Sequence, residues 1–194
     1  MLRGHRNSGI FILDSINRVF PRASQSPAIR IIAPPGVHVW AGLQKTKPMS
    51  IKIPRRLIAE LITHAIQDDP GECCGLLFGI GDEADEIHRM SNVDPKPVSR
   101  YTMQAGELVE AQEKVKKTGR EFVAIYHSHT LTRAYPSVTD ISNAVEISSI
   151  SIRHVIISLV EKTRPVIRAF SINGSSEVIE LVIETDDEPY RASD

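Results

Sequence analysis

Residues 73–80 read Cys-Cys-Gly-Leu-Leu-Phe-Gly-Ile, a run without a charged, amide or hydroxyl side chain. That is strand length, and less than half of the ~20 residues a membrane-crossing helix needs. A strand with no polar face has to be covered on both faces. The chain must therefore build more than one layer around this segment. The residues before it supply one: Leu57, Ile58, Leu61, Ile62, Ala65 and Ile66 recur at helical spacing on one face, after a Pro54 that suits the first turn of a helix. This helix is expected to stop near residues 68–71.

The rest of the patterned region alternates in the same way. A short strand is predicted over 51–53, a turn over the acidic residues 81–86, a strand over 87–93, a loop over 94–97 and an extended piece over 101–104. Helix formers over 107–118 end at Gly119 as a C-cap. The apolar run 122–126 leads directly into His127-Ser128-His129. A helix over 138–148 and strands over 154–160, 165–172 and 178–183 complete the order. Such a sequence of elements predicts an α/β fold, a mixed β-sheet flanked by helices.

Patterning begins at Met49 and fades after residue 184, so the expected organisation is an arm (1–48), one domain (49–184) and a polar tail (185–194). The arm holds five prolines and carries a formal charge of +6, against −7 for everything after it, which the whole-chain value of −1 conceals. It is expected to be poorly ordered. Its prolines would interrupt the amphipathic helix of an organelle transit peptide, and Met49 is an alternative natural start. The scattered charges of the arm lack the interleaved aromatics of a nucleic-acid module. No apolar stretch is long enough to cross a membrane. Cys73 and Cys74 are the only cysteines, and adjacent residues make a poor disulfide, so a reducing, cytoplasmic setting fits best. Oligomeric state leaves no mark in the sequence.

The chemistry concentrates between residues 126 and 140. In a strand, His127 and His129 at i and i+2 point to the same face while Ser128 points to the other. The following loop is long enough to bring Asp140, at the start of the next helix, back over the strand end. Two imidazoles and one carboxylate, with a fourth position left open, form the ligand set of a catalytic zinc. At most one of the neighbouring thiols could join, which makes a closed structural site the weaker alternative. Hydrolysis would also need a proton acceptor. Glu72, where the first helix hands over to the buried strand, is a candidate, though the residues alone leave it one acid among many. Ser137-x-x-Asp140 also reads as a helix capping box.

Taken together, Glu72 in Gly-Glu-Cys-Cys-Gly, then His127-Ser-His129, seven residues, and Ser137-x-x-Asp140 resemble the signature of the JAMM (MPN-plus) metallopeptidases. The resemblance spans roughly residues 49–184 and implies an MPN-like, cytidine-deaminase-like architecture. It implies that His127, His129 and Asp140 bind one Zn2+ per chain, that Glu72 activates water, and that Ser137 steadies the oxyanion. Tyr126-His-Ser-His-Thr130 and Ala134-Tyr-Pro-Ser137 resemble the compact bacterial branch, which includes hydrolases that release cysteine from the C-terminus of a ubiquitin-like sulfur-carrier protein. Thr130 stands where many relatives have proline, a position that is not a ligand. Only 13 residues separate Asp140 from His154, without the insertions of ubiquitin-chain-cleaving relatives. Arg100 and Tyr101 are candidate substrate contacts. Two alternatives are a non-catalytic MPN-type scaffold, in which ligands are usually missing, and a zinc nucleobase deaminase, whose His-x-Glu and Pro-Cys-x-x-Cys motifs do not occur.

Overall fold

A computed structural model describes residues 49–147, 152–186 and 189–190. The predicted arm over 1–48 lies outside the described residues. The elements, in chain order, are β1 (Ser50–Lys52), α1 (Arg55–Asp68), β2 (Cys74–Ile80), β3 (Glu83–Met90), α2 (Ala105–Thr118), β4 (Glu121–His129), α3 (Val138–Ile147), β5 (Ile152–Ser158), β6 (Val166–Ile172), β7 (Val178–Glu184) and β8 (Pro189–Tyr190). The strands form one mixed sheet in the order β1-β3-β2-β4-β5-β6-β7-β8. β1 also pairs in parallel with β7, Ile51 opposite Ile183, so the sheet curls back on itself.

The all-apolar β2 lies between β3 and β4 and is covered on both faces, as its composition requires. On one face Leu57, Leu61 and Ala65 of α1 pack with Leu77, Ala124, Tyr126, Val155 and Ile157. On the other, Leu108, Ala111 and Val115 of α2 pack with Leu76, Phe78, Ile125 and Ile152. Truncating one of these buried leucines to alanine is worth about 2–5 kcal/mol. Gly75 has a packing reason: a Cβ there would lie 2.4 Å from the Tyr126 ring and 2.3 Å from the His88 carbonyl. Gly119 has a conformational one, since φ of 69° ends α2 in the left-handed region.

Several boundaries differ from the sequence reading: β3 ends at Met90 rather than residue 93, β5 runs Ile152–Ser158 rather than 154–160, and two starts differ for a local reason. β3 begins at Glu83 rather than residue 87, because only Gly81 and Asp82 are needed for the turn. The acidic residues expected to form the turn are instead accommodated on the strand by cations: Lys52 lies 3.0 Å from Glu83, Arg120 2.7 Å from Asp85 and Lys114 2.6 Å from Glu86. α2 starts two residues early because the Gln104 side chain accepts from the Glu107 amide at 2.6 Å and caps it. Within the segment read as a polar tail, β8 adds to β7.

β4 and β5 run parallel, with His129 opposite Ser158, and are joined through α3. This connection places the C-terminal end of β4 beneath the start of α3. Among the described residues, no helix is long and apolar enough to cross a membrane.

Candidate metal centre

The two faces of β4 hold its end in place. Ser128 points toward the α1 side, where its hydroxyl accepts from the Cys73 amide at 2.8 Å and its own amide donates to the Cys73 carbonyl at 3.0 Å. His127 and His129 point the other way and are buried. Their Nε2 atoms lie 3.1 Å apart, and Asp140 Oδ2 is 3.5 Å from the first and 3.4 Å from the second. Three ligand atoms arranged tetrahedrally at zinc–ligand distances of ~2.0–2.1 Å would be about 3.3 Å from one another. The donor set thus has the spacing that zinc would require.

Local chemistry supports each donor. Asp140 sits in the first turn of α3, where its Oδ2 accepts from the Ser137 amide at 2.7 Å and its amide donates to Ser137 Oγ at 3.2 Å. This is a reciprocal capping box, and it aims the carboxylate at the histidines. His129 Nδ1 is 3.0 Å from the Arg133 carbonyl, which accepts its proton and leaves the Nε2 lone pair facing the cluster. The ring of His127 stacks on Tyr101, centroids 4.6 Å apart and planes inclined by 26°.

Charge follows the same logic. Burial alone would raise the Asp140 carboxyl, but bonds from His127 and His129 hold it far below the usual carboxylate range. Burial pushes His127 down and outweighs its attraction to Asp140. For His129 the balance reverses: burial is overcome by Asp140 and the Arg133 carbonyl, and the pKa rises. The cluster is therefore a buried anion beside two imidazoles, a combination that suits a divalent cation.

Glu72 is held next to this cluster by its backbone, its amide donating to the Pro97 carbonyl at 2.6 Å and its carbonyl accepting from Asn92 Nδ2 at 2.9 Å. The side chain is buried, and burial raises its pKa to about 7 against the attraction of His129, with smaller repulsion from Asp140 and Asp94 acting in the same direction as burial. A pocket of about 400 Å³ opens over the site, lined by Glu72, Arg100, Tyr101, His129, Ser137 and Asp140 among others. Of the site residues singled out in the sequence, only His127 does not line this pocket: it is fully buried beneath the Tyr101 ring and meets His129 and Asp140 from below. The exposed side chains of Leu131 and Val98 contribute apolar surface to the same pocket.

The thiols take no part in this arrangement. Both are free and buried, and burial pushes Cys73 up to about 12, where it carries no thiolate at neutral pH. Two residues near the site escaped the sequence reading. Asn92 fell inside the strand expected over 87–93, where nothing marked its side chain. His154 enters because β5 pairs with β4, opposite Ile125; it is buried, 6.4 Å from the His127 ring, and burial lowers its pKa to about 3, so it is neutral.

Residues 54–173 match the family described as prokaryotic homologs of the JAB domain. A CysO-cysteine peptidase of Mycobacterium tuberculosis is 34% identical over 118 residues, covering 60% of this chain and 78% of the relative. A probable TtuB-protein conjugate cleaving protease of Thermus thermophilus is 33% identical over 119 residues, covering 58% and 80%. Among solved structures, a solution structure of a Desulfitobacterium hafniense protein superposes with a TM-score of 0.63 at 32% identity, covering 71% of this chain and 94% of that one.

Proposed function

The chain belongs to the family of prokaryotic homologs of the JAB domain, and on that premise we propose that it is a zinc-dependent peptidase acting at the C-terminus of a ubiquitin-like protein. The observation that carries this reading is the buried set His127, His129 and Asp140, with donor atoms within 4.8 Å of one another, beside a carboxyl group whose pKa lies near neutrality. Zinc held by these three residues would lower the pKa of a coordinated water and polarise the carbonyl to be cleaved.

The chain's own groups supply the proton traffic. In Glu72, a carboxyl that burial raises to about 7 suits a group that takes a proton from the attacking water and then gives it to the leaving amine. Ser137 Oγ already accepts from the Asp140 amide, so its own hydrogen is free to donate into the pocket it lines, where an oxyanion would form. Tyr101 covers His127, and Arg100 lies on the pocket wall, where both are candidate contacts for the substrate tail.

The narrower part of the proposal is the substrate: a sulfur-carrier protein with a C-terminal cysteine, whose release would form free cysteine. A relative named for that activity and the short connection from Asp140 to His154 support it. The two buried free thiols agree with a reducing, cytoplasmic setting. The test is mass spectrometry of such a carrier after incubation with the zinc-loaded protein. Loss of one cysteine residue, blocked by a chelator, is the expected result. An unchanged carrier alongside cleavage of other ubiquitin-like conjugates would reject the narrow substrate, and cleavage of neither would reject the peptidase reading.

A further inference from the structure

The segment between β3 and α2 forms one wall of the pocket, and a single side chain ties it to the rest of the site. Asn92 Nδ2 donates to the Glu72 carbonyl at 2.9 Å and to the Arg100 carbonyl at 2.9 Å. Its Oδ1 accepts from the Asp94 amide at 3.0 Å and the Thr102 amide at 3.1 Å. Two donors and two acceptors are all that a carboxamide offers through one bond each to its hydrogens and lone pairs, and all four are used. An aspartate at this position has no hydrogens for the two carbonyls, and an aliphatic residue can serve none of the four groups.

The partners come from three separate places in the sequence: Glu72, Asp94, and the pair Arg100 and Thr102. Glu72 carries the carboxyl of the pocket, while Arg100 and Thr102 flank Tyr101, whose ring covers His127 at 4.6 Å. The rest of the segment is braced around the same point, with Thr102 Oγ1 donating to Asp94 Oδ2 at 2.9 Å and the Glu72 amide donating to the Pro97 carbonyl at 2.6 Å. We propose that Asn92 is a positioning residue of this site, joining the backbone of Glu72 to the Arg100–Thr102 segment so that the carboxyl group and the Tyr101 ring are held over the metal ligands. The inference rests on the reading of Glu72 as the proton acceptor. None of the three candidate ligands bonds to this carboxamide; His127 and His129 are set by β4, and Asp140 by the cap of α3.

Removing the carboxamide should therefore separate metal binding from turnover. In Asn92→Ala and Asn92→Asp, zinc titration of the full chain should give one equivalent with affinity within about threefold of wild type. The value of kcat should fall about 10- to 100-fold, the scale expected when a reacting group is displaced by roughly 1 Å, with KM changed less than threefold. In a Glu72→Gln background the Asn92→Ala change should cost clearly less than in the wild type, because one of the two groups it positions is already disabled. A full additional tenfold loss in that background would overturn the proposal. So would a loss of activity that tracks loss of zinc or of folded protein in both variants. Amide hydrogen exchange on the metal-free chain tests the arrangement without any substrate. Exchange at Asp94 and Thr102 should accelerate in Asn92→Ala while Ser128 stays protected, and unchanged exchange at Asp94 and Thr102 would overturn it. If the wild-type protein cleaves neither a carrier nor another ubiquitin-like conjugate, the peptidase reading fails, and the exchange result still decides the role of Asn92 as the tie between these segments.

Discussion

The two sides of the pocket are built differently. The ligand side is local: His127, His129 and Asp140 fall within fourteen consecutive residues, fixed by one strand end, one carbonyl from Arg133 and one helix cap. The Glu72 side is assembled from three separate stretches, with Asn92 and the Pro97 carbonyl gripping a backbone that is distant in sequence. Sheet geometry holds the first, and hydrogen bonds in irregular chain hold the second. The difference teaches that the proposed metal grip and proton transfer would rest on separable supports, so that disturbing one need not disturb the other.

The largest expected effect is on the ligand side. His129→Ala removes one of three donors and leaves Asp140 buried without one of the two imidazoles that stabilise its charge, so zinc should be lost along with all measurable turnover. Metal analysis of the purified variant checks this, and full zinc with full activity would remove His129 from the ligand set. Ser137→Ala touches both sides at once. It removes the cap of α3, worth about 1 kcal/mol, and the hydroxyl aimed into the pocket, worth about 10²–10³ in kcat for a single oxyanion donor. Thermal melting and single-turnover rates separate these two contributions. A melting shift with unchanged kcat would make Ser137 a cap alone.

The smallest effect is graded, and belongs to the Glu72 side. Burial raises this carboxyl to about 7, so the ionised form needed to accept a proton is depleted below neutrality. Activity should rise with pH through this range and fall toward tenfold per unit on the acid side. A profile flat down to pH 5 would mean that the proton goes elsewhere. In Glu72→Asp the limb should persist with a lower plateau, and its disappearance would assign it to a different group.

How much of this was legible follows from the same contrast. The i, i+2 histidines could be read because strand geometry is periodic, and the cap because Ser-x-x-Asp is a local motif. The apolar run of β2 and the helical spacing of α1 announced a covered sheet for the same reason. The early start of β3 was hidden because its acids are neutralised by Lys52, Arg120 and Lys114, all remote in sequence. Asn92 was hidden because its partners lie up to 20 residues away and are backbone groups, which leave no side-chain pattern. His154 was hidden because only the parallel pairing of β5 with β4 brings it near His127. Glu72 falls between these cases: its residues alone did not distinguish it from other acids, and its burial does.

The separation of grip from turnover is tested most directly by measuring zinc content and turnover on one sample of Glu72→Gln. The amide keeps the shape of the carboxyl and its backbone bonds to Pro97 and Asn92, and lacks the capacity to take the proton. One zinc per chain with turnover reduced by about 10²-fold or more is the predicted result. Loss of zinc together with turnover would make Glu72 a ligand, and retention of both would remove it from the chemistry; either contradicts the account.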